Sequence, residues 1–454
     1  MGSLAGMFHE KGYLVTGSDN GVYPPMSDFL NEMGITVMEG YAASNLTPRP
    51  DLVVVGNVIR RTNPEAVELE KKGVPFISMP EALTRFFAGS KTRIVVTGTH
   101  GKTTVSSMIA WILYKEKLDP SFMIGGLPAN FLKNHRLGRG PHFVIEGDEY
   151  DTAYFDKAPK FLHYGPHVAV ITSCEFDHGD IYQTLEQIQS QFATFAALIP
   201  AGGYLVAFGG DERVRTIAAG AQASVYAYGV DAEVEWQVLE AIDRGNGISV
   251  TVQDPTGRVA SGTLPVVGYH NVLNALAAIA ATYCVGVAPQ KAMQALESFQ
   301  GVKRRQEIRG EAAGVLVIDD FAHHPTEVKA TCSGIKARYS PRRMAAVFEP
   351  RTNTSKRAFF QQLYVSAFLD ADLVVLREPR DVDGIPSQDR FSSELLAENL
   401  RSADKDAWAF PDTDALISFV LERLVPGDVV LIMSNGSFDN LNARLLDRLK
   451  EREK

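Results

Sequence analysis

The hydrophobic positions of the chain cluster into short apolar runs that end in Gly, acid or His, separated by stretches with helical spacing. In the first 90 residues the runs are YLVTGSD (Tyr13–Asp19), DLVVVGN (Asp51–Asn57) and VPFIS (Val74–Ser78), and PPMSDFLNEMG between the first two has a helical pattern. From Lys91 five more runs follow: RIVVTG, FMIGG, HFVIEGDEYD, HVAVITSCEFDHGD and GYLVAFGGD. From about Val234 the texture changes to β-branched alternation around the turn signals DRGNG and DPTG, which predicts hairpins. Helical spacing resumes in GYHNVLNALAAIAATY. Beyond GVKRRQEIRG, the runs VLVIDDFAHHP, MAAVFEPRTN, ADLVVLREPRD and DVVLIMSNGSF again end in charged or Gly-containing loops. Strands alternating with helices predict α/β units on mostly parallel sheets, with ligands at the carboxyl ends of strands. In the first unit that singles out Asp19 and Gly56-Asn57. The opening MGSLAGMFHEKG has two readings: the Gly-containing loop and helix of a dinucleotide-type fold whose first strand is missing, or a plain amphipathic helix.

Length and composition set the scale. At about 150 residues per domain, 454 residues suggest roughly three. The textures divide the chain at 1–90, 91–302 and 303–454. A net charge of −9 argues against nucleic acid as the main partner, because phosphate backbones demand clustered Lys and Arg. Cys174, Cys284 and Cys332 form no Cys-x-x-Cys pair, which argues against a disulfide framework or structural zinc and suits a reducing cytoplasm. No signal-peptide pattern opens the chain. The most apolar segment, Val272–Ala288, contains Asn274 and Thr282 and reads as a buried helix rather than a membrane span.

The stretch VTGTHGKTT lies between a β-branched strand and a helix, as a phosphate-binding loop requires. It is short: only Thr99 and His100 separate Gly98 from Gly101, where the standard pattern has four residues. Glycines let backbone N–H groups turn inward, Lys102 reaches terminal phosphates, and Thr103 or Thr104 offers a hydroxyl to Mg²⁺. Among the acids of FVIEGDEYD, Glu146 is nearest the strand end and the first choice for the metal; of Asp148, Glu149 and Asp151, at least one is a solvated loop residue. His178 in CEFDHGD, beside Glu175, Asp177 and Asp180, is a second candidate ligand or a structural histidine. Lys303, Arg304 and Arg305 form either a phosphate clamp or a basic linker. Asp319, Asp320, His323 and His324 form either a metal site or a capped helix start.

TGTHGKTT, EGDEYD, EFDHGD, GYHNVLNALAA, GVKRRQE and DDFAHHPTEV occur in the order seen in the Mur ligase family, which the chain resembles over nearly its whole length. The short phosphate loop is a feature of that family. The resemblance implies three α/β domains: a Rossmann-like N-terminal domain for a UDP-sugar, a central P-loop ATPase domain with a small antiparallel extension, and a Rossmann-like C-terminal domain for the incoming amine. It implies a cytoplasmic, ADP-forming ligase, monomeric or weakly dimeric, using ATP and Mg²⁺, without nucleic-acid or membrane partners.

Carried over residue by residue, Gly98, Thr99, His100, Gly101, Lys102, Thr103, Thr104, His270, Asn271, Asn274, Arg305 and Asp320 contact ATP. Thr103, Glu146 and His178 hold the metal, and Lys102, Glu146, His178 and Arg305 are the catalytic set. Ser18, Asp19 and Asn57 face the UDP-sugar, and His323, His324, Arg351 and Arg380 the acceptor. Stretches such as GSDNGVYPPMS and FEPRTNTSK resemble the branch that adds L-alanyl-γ-D-glutamyl-meso-diaminopimelate to UDP-N-acetylmuramate. The alternatives are the branch adding L-alanine and a truncated nucleotide-binding protein without ligase activity. The family's carbamylated lysine is not expected, because no lysine occurs between Lys160 and Lys291. Ser173 and Ser437 depart from the residues usual in relatives.

Overall fold

The computed structural model describes residues 1–23, 26–231 and 233–453. Pro24 and Pro25, which open the expected PPMSDFLNEMG helix, lie outside the described residues; the helix is seen over Met26–Glu32. The chain opens on a helix, Gly2–Glu10, which buries Leu4, Met7 and Phe8. Phe8 packs edge-on against Phe87, with ring centroids 4.8 Å apart. The first unit then forms two separate parallel pairs: Thr16–Asp19 with Thr36–Glu39, and Val53–Val55 with Phe76–Ser78. All three expected strands of this unit are shorter than their apolar runs. Tyr13–Val15 stay outside the sheet, and Leu14 is 98% exposed. Gly12, at φ +86°, turns the chain out of the helix; Tyr13 packs on Phe8 and Phe86 and Val15 on the core, but the run pairs with no described strand.

The central sheet has ten strands, in the spatial order Val259–Leu264, Ile248–Gln253, Trp236–Asp243, Ser224–Gly229, Tyr204–Phe208, Val168–Ile171, Thr92–Thr97, His142–Glu146, Ser121–Met123 and His135–Arg136. Pairing is parallel from Trp236–Asp243 through Ser121–Met123 and antiparallel at both ends. The expected hairpins are the antiparallel end at Trp236–Leu264. The buried inner strands alternate their contacts. Ile94, Val96, Val144 and Val170 meet Val105 and Ile109 of helix Lys102–Lys115 and Leu276 and Ile279 of helix Tyr269–Tyr283. Val95, Phe143, Ile145 and Ala169 meet Phe161, Phe192 and Phe195 on the other face. At about 25 cal/mol per Å² of buried apolar area, these two layers anchor the strand ends that carry the chemistry.

The C-terminal sheet has six strands, in the order Glu307–Ala312, Val315–Asp320, Val429–Met433, Met344–Phe348, Leu373–Arg377 and Asp406–Phe410. Only the first pair is antiparallel. Glu307–Ala312 carries no apolar run: it is an edge strand in which only Ala312 is buried, so its sequence reads as linker. Among the described residues no helix is long and apolar enough to cross a membrane.

Candidate functional site

Strand Thr92–Thr97 delivers the phosphate-type loop to the start of helix Lys102–Lys115. Gly98 and Gly101 have φ of +125° and +80°. A Cβ on Gly98 would lie 2.8 Å from the backbone nitrogens of Thr172 and Ser173, and one on Gly101 would lie 2.6 Å from Asn274 Oδ1. The two-residue span between them is closed by the neighbouring strand end. The Ser173 hydroxyl accepts from His100 N–H (2.9 Å), and the Thr99 hydroxyl accepts from Glu175 N–H (2.8 Å). Lys102 Nζ curls back to Gly98 O (2.7 Å) and Glu149 Oε1 (2.9 Å).

Two groups of acids face this lysine. Glu146 accepts from the Thr103 hydroxyl (2.8 Å) and from Gly125 N–H (2.7 Å). Asp148, Glu149 and His178 have donor atoms within 4.8 Å of one another. Glu149 is buried, while Asp148 and Asp151 are half-buried; Lys102 and His178 compensate the Glu149 charge, with His178 Nε2 at 3.7 Å. Glu149 Oε2 lies 2.8 Å from Lys102 Nζ yet outside hydrogen-bonding geometry, a buried oxygen with a free lone pair. Hard oxygens around a hydroxyl and one imidazole fit a Mg²⁺ ion.

His178 adopts φ +55°, unusual for a side-chain-bearing residue; its carbonyl accepts from the N–H groups of Ile181 and Tyr182. Burial depresses the Lys102 and His178 pKa values, but the carboxylates around them outweigh it and raise both. Burial raises that of Glu146.

Helix Tyr269–Tyr283 starts against the loop. The Asn274 amide donates to Asn271 Oδ1 (3.1 Å), and the Asn271 amide donates to Gln306 Oε1 (3.1 Å). His270 lies near Gln306, and burial pushes it down to about 4, a neutral ring at pH 7. Asp320 accepts from the N–H groups of Gln306 (2.8 Å) and Ala322 (2.7 Å), and burial pushes it up to about 6. The basic triplet divides its partners, although both arginines lie against the Phe321 ring. Lys303 pairs with Glu307, Arg304 donates to the carbonyls of Ser434 and Gly436, and only Arg305 turns toward the loop, its guanidinium 4.9 Å from the Phe321 ring centroid.

The seam between the central and C-terminal units runs past this site. The Thr326 hydroxyl donates to Glu175 Oε2 (2.7 Å), and Gly179 N–H donates to the Thr354 hydroxyl (3.0 Å). His324, expected at the acceptor, is buried in this seam. Its Nδ1 caps helix Pro325–Tyr339 by accepting from Thr326 N–H (3.2 Å), and its Nε2 faces Phe176 O (3.3 Å), so both nitrogens are engaged. His323 faces Asp177 (3.7 Å) and Glu327 (3.4 Å). Arg351 packs against Gly436, and Arg380 pairs with Asp439 (2.9 Å) on the surface. In the first unit the Ser18 hydroxyl donates to Glu65 (2.6 Å), and Asp19 accepts from Gly21 N–H (3.0 Å). Asn57 lies just past strand Val53–Val55.

Two acids absent from the expected set are central here. His100 bridges them: its Nε2 is 3.3 Å from Glu175, and its Nδ1 is 3.3 Å from Glu327. The spacing His324-x-x-Glu327, that of a capping box, was the available signal for the second. Burial lowers the His100 pKa, but both carboxylates together lift it to about 9. A base raised in the fold stabilises it fully below its unfolded value of 6.5, and that stability is lost as pH rises through about 9. Thermal melts of the native chain should therefore fall between pH 7 and 9.5 by more than those of His100→Gln; parallel curves would exclude a charged bridge.

Comparisons with known proteins agree along the chain. Family profiles match in three consecutive segments: "Mur ligase family, catalytic domain" over residues 1–91, "Mur ligase middle domain" over 96–282 and "Mur ligase, glutamate ligase domain" over 304–436. The UDP-N-acetylmuramate–L-alanyl-γ-D-glutamyl-meso-2,6-diaminoheptandioate ligase of Escherichia coli K12 is 39% identical over 454 residues, spanning 100% of this chain and 96% of that protein. A UDP-N-acetylmuramate–L-alanine ligase of Syntrophus aciditrophicus is 33% identical over 456 residues, spanning 100% and 92%. The crystal structure of a murein peptide ligase from Psychrobacter arcticus superposes with a TM-score of 0.72 at 35% identity, covering 99% of this chain and 96% of that one.

Proposed function

Because the chain belongs to the Mur ligase family, we propose that it is an ATP-dependent, ADP-forming ligase joining L-alanyl-γ-D-glutamyl-meso-diaminopimelate to UDP-N-acetylmuramate. The observation that carries the choice of acceptor is identity: 39% end to end with a tripeptide ligase, against 33% with a ligase for L-alanine. The reaction returns a peptide from wall turnover to peptidoglycan synthesis. Its use of ATP and a UDP-sugar supports a cytoplasmic site of action. Residues 1–90 bind the UDP-sugar, with Ser18, Asp19 and Asn57 at its strand ends. Residues 91–302 bind ATP, and 303–454 receive the acceptor, with Arg351 and Arg380 as carboxylate contacts.

A carboxylate acylates poorly because oxide leaves poorly. One oxygen of the lactyl carboxylate attacks the γ-phosphorus and ADP departs, giving an acyl phosphate. The peptide's free α-amine then attacks the acyl carbon, phosphate leaves, and the amine sheds its proton. Two anions must first approach, so cations dominate the site. Lys102, released from Glu149, offers its charge to the phosphates beside the backbone N–H groups of Gly98–Thr103. Arg305 approaches from the C-terminal side. His270, Asn271, Asn274 and Asp320 frame the nucleoside. Thr103, Glu146 and His178, with Glu149 as a further oxygen, would hold Mg²⁺, which would supply charge neutralisation for the phosphates. The packed seam keeps water from the acyl phosphate.

Incubating the protein with ATP, Mg²⁺ and UDP-N-acetylmuramate, offering tripeptide or L-alanine, and weighing the product tests this directly. The expected result is the tripeptide adduct. An alanine adduct alone would move the chain to the neighbouring branch, and no product would leave a nucleotide-binding protein without ligase activity.

A further inference from the structure

Glu327 lies at the third position of helix Pro325–Tyr339, and its side chain is only 12% exposed. Its two oxygens face different ways. Oε2 turns back on its own turn, accepting from His323 N–H (3.2 Å) and lying 3.4 Å from His323 Nδ1. That bond ties the helix start to the residue before its cap, a variant of the capping-box pattern. Oε1 points across the seam, 3.3 Å from His100 Nδ1 and 3.7 Å from Arg305 Nη1. One oxygen therefore touches the loop that holds the nucleotide's phosphates and the arginine that approaches from the C-terminal unit. A cap alone has no use for the second oxygen.

Glu327 is the side chain that touches both His100 and Arg305, while the hydrogen bond from Thr326 to Glu175 fastens the same seam beside it. His100 is held on its other side by Glu175, which belongs to the central unit like the loop itself. The other close partner of Arg305 is the Phe321 ring, on its own unit, with the guanidinium carbon 4.9 Å from the ring centroid. The link between loop and arginine across the two units is thus the Glu327 carboxylate. The seam is also dry enough for that charge to count: His324 beside it is buried, its ring centroid 4.5 Å from that of His100. Two cations, His100 and Arg305, would repel each other across the seam without the anion between them.

We propose that Glu327 is a positioning residue that registers Arg305 against the phosphate loop through His100, and so sets how well the third phosphate of ATP is gripped. The proposal rests on the ATP-dependent reading of the site. It differs from a carboxylate that merely occupies the phosphoryl position, which would compete with ATP and whose neutralisation would tighten binding.

Glu327→Gln separates the two jobs, because its amide oxygen still accepts from His323 N–H while the charge is gone. Three readouts are taken: the melting temperature, kcat and KM for ATP in the ligase assay, and calorimetric affinities for ADP and a non-hydrolysable ATP analogue. The expected result is a melt within about 2 °C of the native protein. With it, kcat should fall at least about tenfold, the scale of one charge-assisted contact, and KM should change less than about threefold. The preference for the analogue over ADP should shrink by about fivefold or more. Combined with His100→Gln, the loss should exceed neither single variant by more than about twofold, because both act through one contact. Native turnover and native nucleotide preference in Glu327→Gln would reduce the residue to a cap. Tighter analogue binding would make it a competitor of the phosphate. Either overturns the proposal. If the native chain binds both nucleotides but forms no amide, the ligase reading fails, and the calorimetric preference still decides the role of Glu327.

Discussion

Lys102→Met should abolish amide formation, with kcat falling by about 10³-fold or more, because it removes the one lysine on the phosphate loop from a step whose catalysis is almost wholly electrostatic. It should also cost stability. Lys102 and Glu149 form a pair with side chains 14% and 4% exposed, and removing one partner leaves a buried carboxylate with only His178, 3.7 Å away. Breaking a buried pair costs about 3 kcal/mol, which in a domain of this size lowers the melting temperature by on the order of 5–10 °C. Activity loss alone would therefore be ambiguous. The double variant Lys102→Met with Glu149→Gln removes the orphaned charge and should recover most of the melt, but none of the turnover. Recovery of both would show that Lys102 acts only as a counter-ion for Glu149 and does not grip phosphate.

This pair also shows where legibility in the sequence ended. Lys102 was legible because its meaning is local: a strand, a Gly turn and a helix start lie within ten residues. Glu146 was legible because it closes an apolar run. Glu149 was not, since three acids follow Glu146 in loop-like sequence. What buries one of them is Lys102, 47 positions away, and the imidazole of His178. The surroundings of His324 were hidden for the same reason in reverse. Its motif announces a strand-to-helix turn but not which surface that turn meets, and the turn meets the phosphate loop. The order of strands and helices was largely readable, because burial on both faces makes inner strands apolar throughout. It failed at exposed positions: Tyr13–Val15 are apolar but lie outside the strand pairs, and Glu307–Ala312 is a strand whose apolar residues are only Ile308, exposed, and Ala312.

Arg305→Ala should have an effect comparable to that of Lys102→Met, but of a different kind. Arg305 is 29% exposed, and its partners Phe321 and Glu327 belong to its own unit, so its loss leaves the central unit and its phosphate loop intact. Binding of the α- and β-phosphates should survive, and the melting temperature should stay within a few degrees. The loss should fall on kcat, by about 10³-fold, the lower end for removal of an arginine that meets a transferring phosphoryl group. KM for ATP should move far less, because the interaction matures as charge spreads over the departing phosphoryl oxygens. Arg305→Lys should rescue poorly. A lysine keeps the charge but loses the flat stack on Phe321 and the forked donors that can serve Glu327 and phosphate together. Steady-state kinetics on both variants, with ADP release as the signal, checks this. A rise in KM at constant kcat would make Arg305 an ordinary binding contact, and native-like turnover in Arg305→Lys would show that charge alone suffices.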